Sequence, residues 1–178
     1  MKLYVTDLYR VEMRYPLDEV QIDTLYYLYQ PFIGSTALQV YMMLVMEGKR
    51  MRRFIAPCPL SRLLSFVSIN IMELEKALRS LEAIGLLKSY VKHEQDITQY
   101  MYRIYAPLSL KAFFKNQILS SLLQFSLSQE DFQKTLQYFK ISLENLEGYE
   151  DVTAKFQDVF TIEHLHKGTR LLKYQEEF

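Results

Sequence analysis

Residues 60–105 read LSRLLSFVSINIMELEKALRSLEAIGLLKSYVKHEQDITQYMYRIY. Leu60, Leu63, Leu64 and Val67 recur at helical spacing and predict a short amphipathic helix. Ser68–Asn70 makes a turn. Asn70 then supplies a side-chain cap, and Glu73, three places on, completes the capping-box spacing. Ile71, Leu74, Leu78, Leu81 and Ile84 lie on one stripe of the next helix, and Gly85 stands where a left-handed residue ends a helix best. The period then falls to two: Leu86–Lys92 and Thr98–Tyr105 read as strands around a polar tip, His93–Ile97. Helix, turn, helix, hairpin is the order of a winged helix-turn-helix.

On the N-terminal side, Leu3–Met13 is rich in Leu, Val and Tyr and reads as a strand or extended arm. An arm without a partner in its own domain would pair with a second protomer, which makes Leu3, Tyr4, Val5, Leu8, Tyr9 and Val11 candidate oligomerisation residues. A helix over 18–30 follows, with Val20, Leu25, Leu28 and Tyr29 inward. Thr24–Met46 carries no charge, yet Gln30, Pro31 and Gly34 interrupt it, so it reads as two buried helices joined at Pro31–Gly34 and not as a membrane span. Ser35 is placed to cap the second, over 36–47, with Ala37, Leu38, Tyr41, Leu44 and Val45 inward and Gly48 as its stop. Lys49–Arg53 and Ile55–Pro59 then form a basic loop.

On the C-terminal side, Ser109–Lys115 and Ile118–Leu127 are helical in pattern. Ser128 caps a further helix from Gln129 to about Leu146, with Phe132, Leu136, Phe139 and Leu143 on its stripe and Gly148 beyond it. Val152–Phe160 reads as another short helix, and His164–Phe178 has no clear stop. The expected architecture is mainly α with a small β component. A winged-helix domain with its arm spans 1–106, a helical extension spans 107–160, and 161–178 is a tail or the start of a linker.

The chain has 178 residues, 49% of them apolar, which is enough for one core. Its single cysteine excludes a disulfide scaffold, and the charged start lacks a signal-peptide core, which points to a cytoplasmic protein. The net charge of zero is unevenly spread. Residues 1–48 hold 3 Lys/Arg and 6 Asp/Glu, residues 49–116 hold 12 and 5, and residues 117–178 hold 6 and 10. The basic middle offers Lys49, Arg50, Arg52, Arg53, Arg62, Lys76, Arg79, Lys88 and Lys92 as candidate DNA-phosphate contacts. Against that, the helix that would enter a major groove carries Glu73, Glu75 and Glu82 beside Lys76 and Arg79, and carboxylates repel phosphate. A protein-docking scaffold is therefore the first reading, and a DNA-binding winged helix using the basic loop and wing is the alternative.

No enzyme constellation is visible. The glycines, at 34, 48, 85, 148 and 168, are too scattered for a phosphate-cradling loop. His164 and His166 would point apart on a helix and have no cysteine near them, Cys58 has no evident base, and Glu144–Asp151 lacks calcium-loop spacing. No cofactor or metal is expected.

Several segments in order resemble a known family. Leu28-Tyr29-Gln30-Pro31-Phe32-Ile33-Gly34 with Tyr41-Met42, and Leu81-Glu82-Ala83-Ile84-Gly85-Leu86-Leu87, are the first two. Pro107-Leu108 with Phe113-Phe114, and Tyr149-Glu150-Asp151-Val152-Thr153 with Asp158-Val159-Phe160, extend them. Together they resemble the N-terminal domain of the primosomal DnaB/DnaD replication-initiation family of low-GC Gram-positive bacteria, over about residues 20 to 160. The resemblance implies a winged helix that self-associates as a dimer or tetramer. It implies a part in loading the replicative helicase, alongside a DnaD-like initiation protein and a helicase-loader ATPase. Peripheral membrane association is implied by the resemblance alone. Family members also carry a later domain with a Tyr/Ile/Trp single-strand DNA motif; this sequence has no Trp, so that motif is missing.

Overall fold

The structure, a computed structural model, describes residues 2–140, 148–150, 152–155 and 158. Residues 1–140 form one compact unit and residues 141–178 a second. The far end of the helix expected to reach Leu146, with Leu143, lies outside the described residues, as do Phe156, Gln157, Val159 and Phe160 and all of His164–Phe178; Val152–Lys155, expected to open a short helix, are not helical.

Within the first unit the order is β1 (Leu8–Met13), α1 (Glu19–Thr24), a π-helical turn (Leu25–Tyr29), α2 (Gln30–Ile33) and α3 (Ser35–Met51). Then come β2 (Cys58–Pro59), α4 (Leu60–Val67), α5 (Ile71–Ala83), β3 (Leu87–Glu94) and β4 (Ile97–Ile104). Three helices close the unit: α6 (Leu110–Lys115), α7 (Gln117–Ser126) and α8 (Gln129–Lys140). The winged helix is present as expected. Asn70 caps α5 by accepting from the Glu73 N–H at 3.0 Å, and Glu73 accepts from the Asn70 N–H at 2.9 Å. Gly85 follows α5 at φ +79°. The wing is tighter than its sequence suggested: β3 and β4 pair from Leu87↔Ile104 out to Glu94↔Ile97, leaving only Gln95 and Asp96 in the turn.

The four strands form one sheet in the order β2-β1-β4-β3. β1 runs parallel to β4, from Leu8↔Gln99 to Met13↔Ile104, and antiparallel to β2. The N-terminal arm thus finds its partners inside its own domain, on both edges of Leu8–Met13. Its alternation explains why: Tyr9, Val11 and Met13 are buried beside Tyr100, Tyr102 and Ile104, and a strand with one buried face has a fixed register. The inner face of the sheet packs against α3 and α5.

Two sequence punctuation marks act differently from expectation. Pro31 does not end the helix, which runs on to Ile33. Pro31 sits in the first turn of α2, where a missing N–H costs least, and the preceding turn widens so that Gln30 N–H donates to the Leu25 carbonyl. The break falls at Gly34, whose φ of +86° suits glycine, and the Ser35 side chain does not cap α3. Gly48 likewise does not stop α3, which continues through Lys49 and Arg50 to Met51. It is a contact glycine: a Cβ there would lie 3.3 Å from Met13 Cβ and 3.4 Å from Val11 Cγ1, so its absence lets the helix lie close on β1.

The core is dominated by leucine and tyrosine. Tyr41 donates from its hydroxyl to the Tyr105 carbonyl at 2.8 Å. The Tyr102 hydroxyl is buried, has no hydrogen-bond partner among the described residues, and is pushed far above the ordinary tyrosine range by burial. An unsatisfied buried hydroxyl costs about 1–3 kcal/mol. Tyr102→Phe is therefore expected to leave stability unchanged or raise it by about 1–2 kcal/mol, whereas Tyr41→Phe should lose about 1 kcal/mol. Urea unfolding of the two variants checks the opposite signs.

Candidate functional site

The residues grouped by charge in the sequence do not form one surface. Glu47 on α3 is 1% exposed and gathers two of them. Arg50 donates to it from Nε at 3.0 Å and from Nη2 at 2.8 Å, and Arg62 of α4 donates from the same two atoms at 3.1 and 3.0 Å. The Tyr9 hydroxyl adds a third donor at 2.6 Å. Burial alone would raise the Glu47 carboxyl; the bonds from Arg50, Arg62 and Tyr9 outweigh it and hold the group at about 2. Burial and the same carboxylate push Tyr9 upward, and the bond to Glu47 raises both guanidinium groups. Arg50 also reaches Cys58 Sγ at 3.1 Å. Arg52 donates to the carbonyls of Met13 and Arg14, both at 2.9 Å.

Arg50, Arg52 and Arg62 therefore clamp α3, α4 and β1 together. Lys92 pairs with Glu94 at 2.9 Å, and Lys88 lies over the Tyr105 ring. Lys49, Arg53, Lys76 and Arg79 are exposed. Lys49 is in the last turn of α3 and Arg53 just past it, whereas Lys76 and Arg79 are on α5. Of the arm residues, Leu3, Tyr9 and Val11 are buried, Leu8 is half-buried, and Tyr4 and Val5 are exposed.

The side of α5 next to the wing is where a duplex would be read. A groove of about 540 Å³ runs there between α5 and β3, lined by Glu75, Leu78, Arg79, Glu82, Leu87 and Lys88 among others. The chain's own N-terminal segment enters it. Leu3 is 4% exposed, and its N–H donates to Glu75 Oε1 at 2.6 Å. Glu82 accepts from the Ser89 hydroxyl. The carboxylates of Glu75 and Glu82 balance the cations of Arg79 and Lys88 along the groove, and Leu3 occupies part of it, so it presents no net positive charge to a phosphate backbone. Among the described residues no group of three or more His, Cys, Asp or Glu is placed to hold a metal ion, and no helix is long and apolar enough to cross a membrane.

The hub role of Glu47 went unread in the sequence. Its one signal was a lone carboxylate on the apolar side of a helix with an arginine three residues on. Arg10 and Arg103 lie on the outer side of the sheet, in line with Met101 and Tyr90 and with Glu12 and Lys88, a grouping that only the strand register shows.

A family model described as the DnaB N-terminal winged helix domain matches residues 6–177. Over 156 residues the chain is 30% identical to the replicative helicase loading/DNA remodeling protein DnaB of Staphylococcus aureus, covering 88% of this chain and 34% of that protein. The chain thus spans about a third of the length of the curated relative. The crystal structure of primosome protein DnaB, residues 1–300, from Geobacillus stearothermophilus matches with a TM-score of 0.77 and 28% identity. That match covers 88% of this chain and 60% of the other.

Proposed function

The chain belongs to the DnaB N-terminal winged helix domain family, and from that premise we propose that it works in replication initiation as a docking domain that helps load the replicative helicase. In this reading it binds and positions other macromolecules and carries out no chemistry of its own. Its protein partners are a helicase-loader ATPase, a DnaD-like initiation protein and the helicase itself. The observation that favours docking over duplex reading is the α5–β3 groove, which is occupied by the chain's own Leu3 against Glu75 and in which Glu75 and Glu82 offset Arg79 and Lys88.

Self-association is part of the proposal, and α7 supports it. Leu119 and Leu123 face the core, while Ile118, Leu122 and Phe125 form a second apolar stripe on the outside, with Phe125 89% exposed. A helix apolar on both faces is one that is covered on both. The same stripe on a second copy, related by a twofold axis, would cover it. Light scattering on the chain at tens of micromolar is expected to show a dimer or larger species, and Ile118→Glu with Phe125→Glu a monomer of unchanged melting temperature. A monomeric parent would overturn self-association; a double variant as oligomeric as the parent would remove α7 from the interface.

A further inference from the structure

The outermost strand of the sheet has a free edge. β3 is last in the order β2-β1-β4-β3, and among the described residues no backbone group bonds to its far side. Which groups face that side follows from one bond. Tyr105 N–H donates to the Leu86 carbonyl at 3.0 Å, which makes Leu86↔Tyr105 a hydrogen-bonded pair. Such pairs alternate along an antiparallel ladder, so Lys88, Tyr90 and Lys92 direct their N–H and C=O groups to β4. Leu87, Ser89, Val91 and His93 turn theirs outward. Free edges are commonly blunted by shortness, a bulge or a proline. β3 pairs with β4 over eight residues with neither bulge nor proline, and Tyr90 and Val91 are exposed along it. Its lysines guard it against itself, since a copy of the strand paired antiparallel about Tyr90 would set Lys88 opposite Lys92.

The two sides of the edge call for different side chains. On the helix side, Leu87 and Ser89 border the groove along α5, whose apolar lining is Leu78 and Leu87 and whose charges cancel. A leucine already sits there: Leu3 is 4% exposed, with its N–H on Glu75. On the open outer face of the sheet, Lys88, Tyr90 and Lys92 stand in a row beside Arg103, Met101 and Gln99. Lys88 lies over the Tyr105 ring, and Lys92 meets the exposed Glu94 in a weak pair. The two lysines are four residues apart, about 13.6 Å along the strand.

We propose that the free edge of β3 takes an extended acidic segment of a partner protein as a fifth strand. The segment's backbone pairs with Leu87, Ser89 and Val91. Two of its carboxylates, four residues apart, meet Lys88 and Lys92, and the apolar residues between them cover Tyr90 and enter the α5 groove. Strand addition draws affinity from main-chain bonds and specificity from alternate side chains, and an edge strand beside a grooved helix supplies both. The lysines select the acidic partner, because opposite charges directly across strands attract and like charges repel. A nucleic acid would meet the lysines and offer no ladder of N–H and C=O groups to the edge. The inference deepens the docking reading above and rests on it.

Fluorescence anisotropy of a labelled peptide, Ser-Glu-Val-Leu-Val-Glu-Ser, titrated with the 178-residue chain, tests it. Saturable binding is expected, at least about ten-fold weaker when both glutamates are replaced by lysine. Lys88→Glu with Lys92→Glu should reverse that preference, and the recovered binding shows that the variant is folded. Lys49→Glu with Arg53→Glu should have no effect. Two isomers of the peptide separate strand pairing from charge, one N-methylated at both valines and the other at the leucine and the second glutamate. Only every second amide of an edge partner faces β3, so one isomer should bind like the parent peptide and the other at least about ten-fold more weakly. No saturable binding at low salt, equal effects of the two methylation patterns, or an unreversed preference in the lysine variant would each overturn the proposal. So would a fall in the mass of a self-associated chain on adding the peptide, since the edge would then belong to a second copy. The complex with helicase and loader is read separately by light scattering. Its formation by a chain that fails to bind the peptide would remove the edge site and spare the docking reading.

Discussion

Replacing Glu47 with alanine is expected to cost about 3–5 kcal/mol, the range for removing one partner from a buried ion cluster. The side chain is 1% exposed and accepts four hydrogen bonds from two guanidinium groups and one from Tyr9. Without it, Arg50 and Arg62 would face each other partly buried, and the Tyr9 hydroxyl would lose its acceptor. The contribution is also pH-dependent. The folded carboxyl is held at about 2, against 4.5 for an unperturbed one. A group whose folded value is depressed stabilises fully above the unfolded value, and that stability drains away as pH falls from about 4.5 towards 2. The shift corresponds to about 3 kcal/mol in all. Urea unfolding followed by circular dichroism should show the parent losing stability across that window more steeply than Glu47→Ala. A loss under about 1 kcal/mol at neutral pH would contradict the clamp.

Tyr29→Ala is expected to cost a similar amount, about 3–5 kcal/mol, through the cavity it leaves. Tyr29 is the last residue of the π-helical turn. Its ring meets Phe113 of α6 edge-on at 5.1 Å and Phe32 at 5.8 Å, and its hydroxyl accepts from the Leu108 N–H at 3.3 Å. It therefore ties the winged helix to the segment where the chain turns into α6. In the variant, limited proteolysis should open the chain around Ala106–Ser109, whereas the parent should resist there. An unchanged digestion pattern together with a loss under about 1.5 kcal/mol would place the tie elsewhere.

Residues 60–105 were legible because every local signal agreed: the Leu60–Val67 stripe, the Asn70–Glu73 box, Gly85, and the change of period at Leu87. Agreement of that kind lets a short-range pattern specify a fold. What stayed hidden depended on contacts far apart in the chain. Gly48 looks like a helix stop until β1 is known to lie on it. Leu8–Met13 looks like a spare arm until it is paired with residues some ninety positions later. Pro31 looks like a break until the π-helical turn before it is seen to make room. The basic segment misled most, since charge along the sequence does not say which arginines are engaged: Arg50 and Arg62 point inward to Glu47, and Arg52 caps carbonyls. The open sheet face, with Arg10 and Arg103 brought beside Lys88 and Lys92, exists only once the register is fixed.

The most direct test of the docking account is light scattering on the chain mixed with the replicative helicase and helicase-loader ATPase of its own organism. The account predicts a complex heavier than any component, formed without nucleotide turnover by the chain and kept when Lys76→Glu and Arg79→Glu are introduced on α5. Components that elute separately at tens of micromolar, with the chain strictly monomeric, would contradict it.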